Sequence, residues 1–361
     1  MSSIRILGGP RARKHVAEHG LRASDLRAIA AAAGGPKGLA LIPFDRWLFG
    51  EFLANSVRHS PLLLAGASIG AWRMAAASQS SPLVALDRLL RAYLELQRYR
   101  ALPERDEISA TCRQIVREVI GGEAASFLQA QAPGLDLQVI TAREPSGRSL
   151  HSPRKSFGLA ALSNVLGRNH LADHLQRVLF THGNADRTSH ALTDDRFESL
   201  RIALGPSNLE DALLASGSIP LIANPVCDIP GAPSGCYWDG GLIDYHLYWR
   251  WSALDGLVLF PHFAPQLTAG WLDKYLPWRR HGIGSAGKGW LDNVLLVVPS
   301  PELLGRLPHR KLPDRIDFHR YGVDHDRRLR DWRLAIGECA RIADDFAAFV
   351  AHPDPNLIEA L

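Results

Sequence analysis

The sequence predicts an α/β fold, a mainly parallel sheet with helices on both of its faces. Two consecutive strand–turn–helix units carry that prediction. In the first, residues 26–33 form an apolar run of strand length that ends at Gly34-Gly35-Pro36-Lys37-Gly38. Leu39, Leu41, Ile42, Phe44, Trp47, Leu48 and Phe52 then recur at helical spacing. In the second, an apolar run begins after Pro61, Ser68 stands at a turn between Gly66 and Gly70, and helical spacing continues through Arg73 and Met74 to Ala77. Strands joined in this way become parallel neighbours, which places helices on the sheet faces. Two further apolar strands, at 254–260 and 294–298, add to the sheet.

The remaining elements follow in order. Residues 1–25 are polar and basic and read as a helical or loose lead-in. Pro43 falls in the first turns of its helix, where proline is tolerated. Residues 83–130 read as helical throughout, with Leu83, Leu86, Leu89, Leu90, Tyr93 and Leu94 on one stripe. Alternation over 135–141 predicts a strand. From 143 to 196 the chain is basic, His-rich and broken by Gly147, Pro153, Gly158, Gly167 and Gly183, an excursion with short helices at 159–166 and 171–180. A strand at 200–204 precedes Ser207 and Glu210, a capping box that opens a helix ending at Gly217 and Pro220. Residues 236–239 read as a strand end before the turn Gly240-Gly241. Leu329, Trp332, Ile336, Cys339, Ala343, Phe346 and Val350 step along one face of a long closing helix.

Composition narrows the function classes. The chain has 361 residues, 46% of them hydrophobic and 22% charged, with a net charge of +4, the profile of a globular protein with a sizeable core. No basic run or zinc-finger spacing points to nucleic acid. No run of 18 apolar residues or signal-peptide pattern occurs, so a cytoplasmic protein is expected, with peripheral membrane contact left open. The four cysteines include no C-x-x-C pair; Cys227 and Cys236 are close enough to face each other across a hairpin. His151, His170, His174, His182 and His190 have no ligand-pair spacing and read as surface histidines, so no metal and no cofactor is expected.

Three separated stretches nevertheless make one chemistry. A serine hydroxyl needs a base to take its proton and donors to hold the oxyanion that it creates. Ser68 in Gly66-Ala67-Ser68-Ile69-Gly70 fits a nucleophile elbow, in which glycines let strand and helix pass closely. The amides of Gly34, Gly35 and Gly38 can turn towards one point at a helix N-terminus. The base is Asp239 in Trp238-Asp239-Gly240-Gly241, whose pKa burial beside Tyr237 and Trp238 would raise. A histidine base, His246 or His262, is the alternative.

In order and spacing, these three motifs resemble the patatin-like phospholipases, which run a Gly-rich oxyanion motif, a G-x-S-x-G serine and an Asp in D-G-[AG]. Residues 212–220, Ala-Leu-Leu-Ala-Ser-Gly-Ser-Ile-Pro, also look like that family's small-residue helix. The resemblance covers about 26–250 and implies a three-layer α/β/α catalytic domain there; residues 251–361 lie outside it and are expected to form a C-terminal helical extension packed on the same fold. It implies a Ser68–Asp239 dyad without histidine or metal, an oxyanion hole at Gly34, Gly35 and Gly38, and hydrolysis of lipid or small acyl esters through an acyl-enzyme. The sequence departs from the family at Ala32-Ala33, where Asp and Gly are usual, and at Lys37, where Arg is common. Acyl transfer by the same dyad and a catalytically silent membrane-binding protein are the competing functions. Trp271, Tyr275, Leu276, Trp278, Arg279, Arg280, Lys288 and Trp290 mix aromatic and basic side chains as a lipid–water interface does.

Overall fold

At the centre of the sheet in the computed structural model lie the two strands that precede the glycine-rich turns. The structure describes residues 2–361 except 55, 57–59, 101, 146–152, 184–190, 194 and 283–288; Gly147, His151, His190 and Lys288 thus lie outside the described residues. In chain order the strands are β1 (Ile4–Gly8), β2 (Leu26–Ala31), β3 (Leu62–Ala67), β4 (Leu135–Glu144), β5 (Gln176–Thr181), β6 (Ser199–Ala203), β7 (Val226–Cys227), β8 (Cys236–Asp239), β9 (Leu257–Pro261), β10 (Gln266–Thr268), β11 (Arg280–Gly282), β12 (Val294–Pro299) and β13 (Ile358–Ala360). The main sheet runs β13-β1-β12-β9-β2-β3-β4-β5-β6, with β8 on β4 and β7 on β8. From β12 through β4 every pairing is parallel, so this α/β fold is mostly parallel where it is most deeply buried. β10 and β11 form a separate antiparallel pair.

One detail of register positions the site. β3 pairs with β4 as far as Ala67 opposite Ile140. β8 pairs antiparallel with the next residues of β4, beginning with Asp239 opposite Thr141. Since β5 occupies the other edge of β4 at Thr141, β8 must continue on the edge where β3 stops. The ends of β3 and β8 therefore meet head to head, and Ser68 and Asp239, 171 residues apart, become neighbours.

The glycine-rich turns permit close passage. A Cβ on Gly70 would lie 2.0 Å from the Ala31 carbonyl oxygen and one on Gly66 2.5 Å from the Gly70 carbonyl carbon, so any side chain there would push β2, β3 and the following helix apart. That helix, Ile69–Ala77, is buried along its whole length. Arg73 within it forms a two-pronged ion pair with Asp45, at 2.6 and 2.7 Å, and both side chains are essentially unexposed.

Several elements differ from the sequence expectations. The basic lead-in contains β1 and the helix Pro10–His19; Ile4 and Ile6 alternate with Arg5, which pairs with Glu359 of β13 at the sheet edge. The helical stretch at 83–130 is three helices, Pro82–Leu96, Arg105–Ile120 and Ala124–Gln129. The first break contains Pro103, which disfavours helix at its predecessor. The helix expected at 171–180 is largely β5, because a short apolar run such as Val178-Leu179-Phe180 fits either period and is here buried between β4 and β6. Ser207 does not cap its helix: Asn208 is the N-cap residue of Leu209–Ser216, and its amide ties Gly205 to Ala203 and Pro230. The closing helix is divided at Cys339 into His325–Glu338 and Ala340–Ala351. Among the described residues no helix is long and apolar enough to cross a membrane.

Candidate active site

Ser68 occupies the sharp turn between β3 and its helix with φ 56° and ψ −130°. This is a left-handed conformation that a residue with a Cβ rarely adopts, at a cost of about 1–3 kcal/mol. It is stable here because its surroundings over-determine it. The Ser68 N–H donates to Ser216 Oγ at 2.9 Å, and the Ser216 hydroxyl donates to the Ile140 carbonyl at 2.7 Å. The Ser68 hydroxyl is thereby turned to donate to Asp239 Oδ2 at 2.7 Å.

Asp239 is held just as closely. Its N–H donates to the Ser218 carbonyl at 2.8 Å, and its other oxygen, Oδ1, accepts the Gly241 N–H at 2.7 Å. One short segment, Ser216-Gly217-Ser218, thus fixes both members of the pair through a hydroxyl and a carbonyl. Burial pushes the Asp239 carboxyl above the usual carboxylate range, against the opposing charge of Arg315 and the hydrogen bonds from Ser68 and Gly241. A buried carboxylate with a raised pKa is a stronger proton acceptor than a solvated one.

Gly35 lines the space at Ser68, and Gly34 precedes it as the N-cap residue of the turn Gly35–Leu41. Gly35 has φ +56°, a region that favours glycine. Their N–H groups precede the first intrahelical bond, so no carbonyl of the turn takes them. Gly38 differs. It sits inside the turn, and a Cβ there would come within 2.7 Å of the Ile69 side chain, so its lack of a side chain serves the approach of Ile69. Gly240 is similarly confined, since a Cβ would lie 2.2 Å from the Ile140 carbonyl oxygen. Lys37 lies over the Phe263 ring at 5.1 Å from its centroid, and burial lowers its pKa.

The two candidate histidine bases belong to a different cluster. His246 meets His262 and Phe263 edge to face, and His262 stacks on Phe263. The His246 Nδ1 accepts the Thr268 N–H, and the His262 Nδ1 lies against Ala264. Burial drives His262 down to about 3 and His246 well below its ordinary value, so both are neutral side chains. The hydroxyl of Ser68 points to Asp239 instead.

Two spaces adjoin the dyad. The larger, about 360 Å³, is lined by Ser68 and Gly35 and by mostly apolar side chains, including Ile69, Trp72, Ile115 and Phe318. The smaller, about 10 Å³, lies against Asp239, Trp271 and Tyr245, roughly the space of a single water. Arg315 borders both. Sequence reasoning missed Arg315, Ser216 and Ser218 as parts of the site. The two serines were visible in the small-residue segment 212–220, but Arg315 lies in the C-terminal region with no motif around it.

Cys227 and Cys236 face each other across the β7–β8 hairpin with their sulfurs 3.2 Å apart and not joined by a disulfide. Among the described residues no group of three or more His, Cys, Asp or Glu side chains gathers to hold a metal ion. In the Trp-rich stretch, Tyr275 and Trp278 are 68% and 73% exposed, whereas Leu276 is buried. Arg279 is engaged with the buried Asp273. The helix Pro153–Leu166 presents exposed Leu159, Leu162, Val165 and Leu166, and Arg279 links to it by donating to the Val165 carbonyl.

No protein-family model matches this chain, and no curated protein matches it.

Proposed function

We propose that the protein is a serine acyl-ester hydrolase working through a Ser68–Asp239 dyad, in the manner of the patatin-like phospholipases that its motifs resemble. The observation that carries this reading is the 2.7 Å hydrogen bond from a strained serine hydroxyl to a buried carboxylate. Asp239 takes the hydroxyl proton as Ser68 Oγ attacks the ester carbonyl. The N–H groups of Gly34 and Gly35 hold the oxyanion, a contribution worth about 3 kcal/mol per donor in such sites. The proton on Asp239 passes to the departing alcohol, leaving an acyl group on Ser68. Water then enters beside Asp239, gives up a proton to it and attacks the acyl-enzyme, and the proton returns to Ser68 as the acid leaves. The 10 Å³ recess beside Asp239 has about the volume of one water and suits the water of the second step. The larger apolar cavity suits the acyl chain.

This reading includes a three-layer α/β/α arrangement with 251–361 packed on the same fold and a cytoplasmic enzyme. Tyr275 and Trp278, beside the apolar stripe of Pro153–Leu166, give it a face with which to rest on a lipid surface. The test is hydrolysis of p-nitrophenyl butyrate. The wild type releases nitrophenol, and Ser68→Ala lowers kcat/KM by about 10⁴-fold or more. Undiminished hydrolysis by Ser68→Ala, or none by the wild type, overturns the proposal.

A further inference from the structure

The cavity above Ser68 has an unbalanced charge. Arg100, Arg105, Arg315, Arg328, His319 and His325 border it, and among the described residues no Asp or Glu does. Other arginines of the interior have partners: Arg328, on this cavity, donates to the Gln97 carbonyl and lies over Phe318 and Trp332, and three more have carboxylates. Arg73 has Asp45, Arg168 has Asp273, and Arg177 has both Asp195 and Asp244. Arg315 has none: among the described residues no carboxylate and no side-chain acceptor pairs with its guanidinium. The acids nearest to it in sequence, Asp314 and Asp317, are taken by Lys311.

The place of Arg315 is specific. It precedes the helix Ile316–Tyr321 and is half-buried. A methyl group on Gly35 would come within 2.9 Å of Arg315 Nε, so the guanidinium rests on the backbone of one of the two oxyanion glycines. It also borders both the cavity at Ser68 and the recess at Asp239. Its charge is felt by Asp239, Tyr93, Tyr245 and Cys112, four groups spread around the same space. A guanidinium held there without a protein partner keeps its donor fork available to an anion.

We propose that Arg315 is the specificity-determining residue of the site, binding an anionic oxygen group of the substrate next to the scissile ester. The preferred substrate is then an amphiphile, with its chain in the apolar cavity and its negative charge on Arg315. This inference rests on the hydrolase reading of Ser68 and Asp239 and adds to it a part played by the C-terminal region. A guanidinium that served only to tune Asp239 would affect all esters alike.

The test compares two lipids that differ only by a phosphate, 1-oleoylglycerol and 1-oleoylglycerol 3-phosphate, below their aggregation limits. Oleate release is followed for wild type, Arg315→Gln and Arg315→Lys. The wild type should favour the phosphorylated lipid. Arg315→Gln should lose about 10- to 100-fold more in kcat/KM on that lipid than on 1-oleoylglycerol, the range of a charge-assisted hydrogen bond, with Arg315→Lys in between. Inorganic phosphate at millimolar concentration should compete poorly, showing that the anion is recognised as part of the lipid; strong competition would overturn the lipid assignment in favour of a free-phosphate site. Equal rates on both lipids by the wild type, or an equal loss on both in Arg315→Gln, overturns the proposal. If p-nitrophenyl butyrate and both lipids are all untouched, the hydrolase reading fails. Binding of the two lipids to Ser68→Ala with and without Arg315→Gln then decides the Arg315 claim alone, and equal binding in the two variants refutes it.

Discussion

Asp45 and Asp239 are both buried, and their surroundings differ in the way that separates scaffold from chemistry. Asp45 is met by a guanidinium of matching shape, Arg73, with two bonds of 2.6 and 2.7 Å. Asp239 is met by a hydroxyl and one backbone N–H, each at 2.7 Å, with only the more distant charge of Arg315 to oppose burial. The first arrangement compensates a charge and pins the helix Ile69–Ala77 to its neighbour. The second leaves a charge under-compensated and poised to take a proton. A fold spends stability at such a place, and a substitution that removes the charge should return some of it.

The largest contrast is expected from parallel substitutions. Asp239→Asn should lower ester hydrolysis by about 10²- to 10⁴-fold while leaving thermal stability equal or higher. Asp45→Ala strands Arg73 in the core and should cost about 3–5 kcal/mol, read as a fall in the urea midpoint. A destabilised Asp239→Asn, or an Asp45→Ala as stable as wild type, would erase the distinction. The pH dependence sharpens it. The folded pKa of Asp239 lies above its unfolded value of about 4, so the folded state binds the extra proton. Stability therefore declines as pH rises through that interval, and the stability advantage of Asp239→Asn should grow from about pH 4 upward. Smaller is the effect of Trp278→Ser, with its side chain 73% exposed: weaker binding to anionic vesicles with p-nitrophenyl butyrate hydrolysis intact. Unchanged vesicle binding would remove Trp278 from the membrane face.

The same contrast explains what could be read from the sequence. Ser68, the glycine turns and Asp239 were legible because each carries a local backbone demand: a strained turn, a close approach, a tight bend. β2, β3, β4, β9 and β12 were legible as apolar runs or alternation in the interior of the sheet. β1 was not, because Arg5 interrupts its apolar pattern and finds its partner Glu359 only at the other end of the chain. β5 was hidden by an apolar run too short to reveal a period. Asp45–Arg73 and Arg315 were invisible for a further reason: whether a charge is paired or left open to a cavity is a property of tertiary packing, and no spacing in the chain records it. The register of β8 on β4, which brings the dyad together, is of that kind as well.

The central claim is that Ser68 is activated by Asp239. It is tested most directly by reaction with a fluorophosphonate, with the adduct located by peptide mass spectrometry and its rate measured in wild type, Ser68→Ala and Asp239→Asn. The account predicts one adduct, on Ser68, absent from Ser68→Ala and formed at least about 100-fold more slowly in Asp239→Asn. An adduct on another residue, or labelling of Asp239→Asn at the wild-type rate, would contradict it.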